Sequence, residues 1–317
     1  MNISIIAYNF INQRLLENIY KTVMAPFILL HLGAGKQKKH FKYKQLIEDA
    51  CSVASEKKSS IVDHVENCIR ILEDSGIVNC GMGSVNDTAD ALIIYKHFGS
   101  ITQTTTKNPI SVARFLMEQP RIKNGKMTPI LISGDNYIVK SGLYVKKRYA
   151  TVKPQEMNDT VGCIAFDNGE FCVGTSSGGI QLKDSGRIGS SFMYGVGGFI
   201  KYSIKKTIAI TSSGAGEQII LSDFCRSLVQ TFSETVDYLD ALKLQMELFV
   251  TNPILSGFPC KYIGILVAIY ENNHLEFLYA HSTPTFFFGY SYNLRTNTIF
   301  SSLKSNQLYS YGNFSVF

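Results

Sequence analysis

No apolar run in this chain approaches the ~20 residues that a bilayer-spanning helix needs. The longest, near residues 262–270, has the length of a buried strand, so no membrane partner is expected. Charge is also sparse. Asp, Glu, Lys and Arg make up 18% of the 317 residues against 45% hydrophobic ones, which excludes intrinsic disorder, collagen and a whole-chain coiled coil. A net charge of +6 over so large a surface is too weak to indicate a nucleic-acid partner. The seven cysteines contain no Cys-x-x-Cys pair and no His pair beside them, so neither a zinc site nor a disulfide framework is indicated. A reducing compartment, the cytoplasm, is expected. Residues 1–23 lack the basic start and small-residue cleavage site of a secretory signal and read as an N-terminal extension.

What is present is a succession of elements separated by glycine and hydroxyl residues. Residues 27–31 read as a strand that breaks into a tight turn at Gly33-Ala34-Gly35. Two helical stripes follow, at 43–54 and 61–72, and then the polar loop Asn79-Cys80-Gly81-Met82-Gly83-Ser84. Residues 90–95 read as a strand, and a helix begins at Asn108-Pro109. Residues 133–158 turn irregular and polar, with Lys146, Lys147 and Arg148 as a small basic cluster. From Thr160 a strand, the turn Asp167-Asn168-Gly169 and a second strand form a hairpin. One long helix at 221–249 and two strands at 262–270 and 275–281 are expected to close the chain. Strands then helices, twice, without a βαβ rhythm, predict a layered α+β sandwich.

Three clusters in the second half each follow a strand: Thr175-Ser176-Ser177-Gly178-Gly179, Gly186-Arg187-Ile188-Gly189-Ser190, and Thr211-Ser212-Ser213-Gly214-Ala215-Gly216-Glu217. Hydroxyls and bare backbone amides at several strand ends suit a developing oxyanion. A hydroxyl nucleophile needs a base, yet none of the six histidines lies in these clusters. One route needs no histidine. If the bond between Asp159 and Thr160 were cut, the new α-amine of Thr160, with an ordinary pKa of about 7.7–8.0, would serve as the base for its own hydroxyl.

The order of Asp159-Thr160-Val161-Gly162, the hairpin, the three clusters, His31-Leu32-Gly33-Ala34-Gly35, the Asn79 loop, Asp90-Ala91, Lys107-Asn108-Pro109 and His281-Ser282-Thr283 resembles the N-terminal-nucleophile (Ntn) hydrolases of the asparaginase-like family. The resemblance spans about residues 27–292 and leans to the family's threonine-aspartase branch. It implies a four-layer αββα sandwich made as one precursor, cleaved into an α part (24–159) and a β part (160–317), with two such heterodimers paired. By the same resemblance Thr160 is the nucleophile and Ser177 bonds its hydroxyl, while Asn79 orients the amine. Ser213 and Gly214 serve the oxyanion, and Arg187, Ser190 and Gly216 meet the substrate. No cofactor is implied, and no side-chain metal ligand; a sodium ion held by carbonyls of the first glycine loops is. Where asparaginases of the family carry an aspartate for the substrate's free amine, this chain has Ser190. That predicts an endopeptidase cutting protein substrates after internal aspartate. The alternatives are an asparaginase or isoaspartyl peptidase, or an uncleaved binding protein. A short connector leaves Lys146, Lys147 and Arg148 as the one candidate nuclear-import signal.

Overall fold

The computed structural model describes residues 25–36, 40–56, 59–141, 160–181 and 183–315. The expected extension, most of the polar connector, the basic cluster and Asp159 lie outside them. In chain order the first part holds β1 (Phe27–Gly35), α1 (His40–Cys51), α2 (Ile61–Asp74), β2 (Ala89–Tyr95), β3 (His97–Thr104) and α3 (Pro109–Glu118). A two-residue hairpin, β4 (Ile122–Lys123) and β5 (Lys126–Met127), precedes β6 (Leu131–Ser133) and α4 (Asn136–Ser141). After Thr160 come β7 (Val161–Asp167), β8 (Glu170–Ser177), β9 (Gly198–Tyr202) and β10 (Lys206–Gly214). Helices α5 (Gly216–Ser222), α6 (Phe224–Glu234) and α7 (Tyr238–Val250) follow. The last strands are β11 (Ile263–Glu271), β12 (His274–His281), β13 (Thr285–Tyr292), β14 (Arg295–Ser302) and β15 (Ser310–Ser315).

Apart from β4 and β5, which pair with each other, these strands form two large sheets. The first runs β14-β13-β1-β7-β8-β2-β3-β6 and the second β15-β12-β11-β10-β9. Three apolar cores separate four layers. One lies between the first sheet and α1 to α3, around Ile47, Val65, Ile69 and Cys163. A second, rich in aromatics, lies between the sheets, around Leu29, Phe171, Leu266, Phe277 and Phe286. The third lies between the second sheet and α5 to α7, around Phe224, Leu228, Leu242 and Val267. Each sheet therefore has both faces covered, which is why its central strands read as near-continuous apolar runs. The α+β sandwich expected from the sequence is what the chain forms, in the order α, β, β, α.

The first sheet interleaves strands from before and after Thr160, so β7 lies between β1 and β8. This puts Thr160 at the mouth of the sheet's centre. Local chemistry explains the helices beside it. Ser60 and Asp63 form a reciprocal capping box at the start of α2, and Pro109 takes the first turn of α3. At the β7–β8 turn Asn168 and Gly169 have φ of 49° and 81°, the left-handed pair a two-residue hairpin requires.

Three expectations are corrected. β1 does not stop at His31: Gly33, at φ 106°, absorbs a bulge between His31 and Ala34, after which pairing with β13 resumes. The single long helix is three. Asp223 turns left-handed at φ 48° between α5 and α6, and Asp237 caps α7 by accepting from the Asp240 amide. Nor do two strands close the chain, since β13, β14 and β15 follow. Their hairpin turns on Asn293 and Leu294, both at positive φ, without the glycine that would have flagged it.

Candidate active site

The ends of β7, β8 and β10 open into a cavity of about 270 Å³. It is lined by seven residues singled out in the sequence: Asn79, Thr160, Ser177, Arg187, Ser190, Gly214 and Gly216. Residues 180 apart in sequence meet because β1 and β7 pair in the first sheet while β10 packs across from them. Val161 pairs with Ser176, and one step further along the ladder sets Thr160 opposite Ser177. Both are almost fully buried. Ser177 Oγ accepts the Gly179 amide at 3.0 Å, which keeps its own proton available to bond the Thr160 hydroxyl.

Beneath Thr160 lies His31, wholly buried, with Nε2 3.2 Å from Thr211 Oγ1. Burial lowers its pKa to about 3, partly offset by the backbone of Thr160, so the imidazole is neutral. The sequence showed His31 in a motif without giving it a task. Here it fills the space under Thr160, where Gly162 leaves room: a Cβ at Gly162 would lie 2.1 Å from Thr211 Oγ1 and 2.4 Å from His31 Nε2.

Two expected roles look different in the structure. Asn79 lines the cavity, but its amide is engaged with the loop: Nδ2 donates to Gly179 O at 2.5 Å and Oδ1 accepts from Val85 N at 3.1 Å. Its plain effect is to fix the Gly178-Gly179 turn beside Ser177. Ser213 does not line the cavity. Its side chain is buried and Oγ accepts the Ala34 amide at 3.1 Å, tying β10 to β1 while Gly214 faces the site.

Arg187 stands at the rim with a partner the sequence did not announce. Its Nε and Nη2 donate to Glu217 Oε1 and Oε2, both at 2.8 Å, a side-on fork. Glu217 sits in the first turn of α5, four residues past Ser213 in the third cluster; its position within that cluster was the available signal. The remaining wall is less polar: Ala34, Val85, Ile180, Tyr262 and Pro284 line it. Tyr262 is held by Gln218, whose Oε1 accepts the Tyr262 amide at 2.6 Å.

Among the described residues no cluster of His, Cys, Asp or Glu could hold a metal. The implied sodium site is a matter of backbone. A Cβ on Gly81 would come within 2.5 Å of Glu73 O, and one on Gly83 within 2.0 Å of Val78 O. The carbonyl oxygens of Glu73 and Val78 thus lie close against these two glycines. An ion there would stiffen the loop that carries Asn79. It would add no chemistry at Thr160.

A buried Thr160 at a strand mouth, Ser177 beside it, the Arg187 fork at the rim and the four-layer packing fit an Ntn-hydrolase fold. Comparison with known proteins agrees. Residues 134–252 match the family model described as asparaginase. The chain is similar to a plant-type L-asparaginase of Pyrococcus horikoshii, at 31% identity covering 61% of this chain and 75% of the relative. It is also similar to an isoaspartyl peptidase/L-asparaginase of Xenopus laevis (28%; 62% and 72%) and to a probable isoaspartyl peptidase/L-asparaginase of Arabidopsis thaliana (28%; 67% and 84%). The chain belongs to this asparaginase family of Ntn hydrolases. The names of these relatives favour asparaginase and isoaspartyl-peptidase chemistry over the threonine-aspartase branch. No described helix is long and apolar enough to cross a membrane.

Proposed function

We propose that this chain is a threonine amidohydrolase that frees its own nucleophile and then hydrolyses the side-chain amide of L-asparagine and the β-aspartyl bond of isoaspartyl peptides. The observation that carries the reading is the convergence of Thr160, Ser177 and Arg187 on one cavity. In the first step Thr160 Oγ attacks the carbonyl carbon of Asp159; the peptide C–N bond breaks and the proton passes to the nitrogen. Water then hydrolyses the ester, leaving a carboxylate on Asp159 and a free amine on Thr160. In turnover that amine takes the Thr160 hydroxyl proton as oxygen attacks the substrate's side-chain carbonyl. Ser177 donates to the attacking oxygen, and backbone amides of the Gly214 loop face the developing oxyanion. The proton returns to the departing ammonia or amine, and water releases aspartate from the ester. Arg187 holds the α-carboxylate, which its planar fork suits.

A second reading rests on Ser190, which is buried at the rim and carries no charge for a free substrate amine. On that reading the substrate is an internal aspartate of a protein, cleaved on its carboxyl side. Either form is proposed to work as a pair of αβ heterodimers in the cytoplasm. Intact mass separates the catalytic readings from an uncleaved binding protein: Thr160→Ala is expected to stay one chain while the unaltered protein yields two. Assays with L-asparagine, a β-aspartyl dipeptide and a peptide with an internal aspartate then choose the substrate. Turnover of the internal-aspartate peptide alone would overturn the asparaginase reading.

A further inference from the structure

Asp90, the second residue of β2, is fully buried. Its Oδ1 accepts from Thr102 Oγ1 at 2.7 Å and from the Gln103 amide at 2.8 Å. That amide is aimed at the carboxylate because Gln103 is left-handed at φ 54°, where the ladder between β2 and β3 slips between Ala89 and Ala91. Two donors thus lock one oxygen and fix the direction of the other. Oδ2 has no hydrogen-bond partner among the described residues, a costly condition for a buried carboxylate.

The place where Oδ2 points matters. Apart from Gly189's own chain neighbours, it is the one atom among the described residues within 4 Å of where a Cβ would sit on Gly189, at 3.8 Å. Gly189 lines the cavity between Arg187 and Ser190, and as a glycine it places no side chain between the cavity and the buried Oδ2. Asp90 also pairs directly with Ser177 across the β2–β8 ladder. Thr160, Ser177 and Asp90 therefore form one row across three adjacent strands, and paired residues project from the same face. Two strand spacings place Asp90 roughly 10 Å from Thr160. An aspartyl substrate spans about that gap: an attack distance of ~3 Å at its side-chain carbonyl, roughly 4 Å along three single bonds to its nitrogen, and a ~2.8 Å ammonium–carboxylate hydrogen bond.

Behind Arg187, Glu217 has both its oxygens engaged by the guanidinium. Arg187 is the only charged side chain lining the cavity among the described residues. For a substrate carrying both an α-carboxylate and an α-ammonium, the group that binds the carboxylate therefore stands at the rim, while a carboxylate to bind the ammonium must be reached past Gly189. We propose that Asp90 is a specificity-determining residue whose Oδ2 accepts the α-ammonium group of the substrate while Arg187 takes the α-carboxylate. Resting on the asparaginase reading above, the proposal narrows it to substrates with a free α-amine. It also assigns to β2 the charge that Ser190 does not provide.

The test uses the mature protein and two substrates, L-asparagine and succinamic acid, which is asparagine without its amine. Activity of the unaltered protein on L-asparagine tests the underlying reading, and its absence overturns both. Given activity, the unaltered protein should prefer L-asparagine by at least tenfold in kcat/KM; equal use of succinamic acid overturns the role of Asp90 without touching the asparaginase reading. Asp90→Asn should raise KM for L-asparagine tenfold or more, with kcat little changed, and leave kcat/KM for succinamic acid where it was. Equal loss on both substrates would mean that Asp90 merely braces Thr102 and Gln103. If Asp90→Asn fails to mature, the preference of the unaltered protein still decides, and Glu217→Gln adds a second arm. Collapse of the preference in Glu217→Gln would assign the ammonium to Glu217 and overturn the proposal.

Discussion

Arg187 shows how much a single side chain's geometry can specify. Its fork meets Glu217 through two parallel hydrogen bonds, and the same planar array is what an aspartyl α-carboxylate would use. Lysine keeps the charge but offers a point rather than a fork. Arg187→Lys is therefore expected to raise KM for L-asparagine roughly tenfold or more, the worth of one charge-assisted hydrogen bond at ~1.4 kcal/mol, with a smaller change in kcat. Steady-state kinetics of the mature variant check this; an unchanged KM would remove Arg187 from the binding site. At this scale the sequence was informative where glycine or hydroxyl residues surround a group. Thr160, Ser177 and Arg187 were legible because clustered turn residues bared them. Glu217 and His31 were not, because pairing with Arg187 and filling the space under Thr160 are properties of the third dimension.

Elements, rather than residues, decide whether Thr160 is correctly placed. β7 lies against β10 where Gly162 faces Thr211 and His31, with no room for a methyl group. Gly162→Ala forces the two sheets apart at a point two residues from Thr160. Overpacking of this kind costs about 1–3 kcal/mol or more, so the thermal midpoint should fall by roughly 5 °C and self-cleavage should slow. Gly257→Ala is the matched control: it meets nothing within 4 Å and its φ is not in the left-handed range, so its midpoint should not move. Equal midpoints for the two variants would contradict the packing described. The elements themselves were largely readable. Periodicity marked α2 and α3, and Asn168-Gly169 marked the β7–β8 hairpin. The long helix was misread because a left-handed Asp223 interrupts it without glycine or proline, and the β13–β14 hairpin was missed because its turn uses Asn293 and Leu294.

Among the described residues, the buried His31, His281 and Glu73 change protonation between folded and unfolded states below pH 8, in opposite senses. Burial lowers His31 to about 3 and His281 to about 4, against about 6.5 when unfolded. Below pH 6.5 the unfolded chain takes up protons that the folded one refuses, so stability falls as pH drops from 6.5 towards 4. Glu73, at the junction of α2, α3 and β8, behaves the other way. It is fully buried, accepts from Ser176 Oγ at 2.7 Å and the Ile110 amide at 3.2 Å, and burial raises its pKa to about 8. The folded state keeps that proton after the unfolded chain has lost it near pH 4.3, so stability falls as pH rises through this window and levels off above 8. Between pH 4.5 and 6.5 two histidines outweigh one glutamate; from 6.5 to 8 Glu73 acts alone. The thermal midpoint of uncut Thr160→Ala should therefore peak near pH 6.5 and decline on both sides. Adding Glu73→Gln should flatten the alkaline decline, which is worth on the order of 1–3 kcal/mol, while leaving the acid side intact. A midpoint that climbs steadily to pH 8 would mean that the hydrogen bonds from Ser176, Asn108 and Ile110 hold Glu73 ionised against its burial.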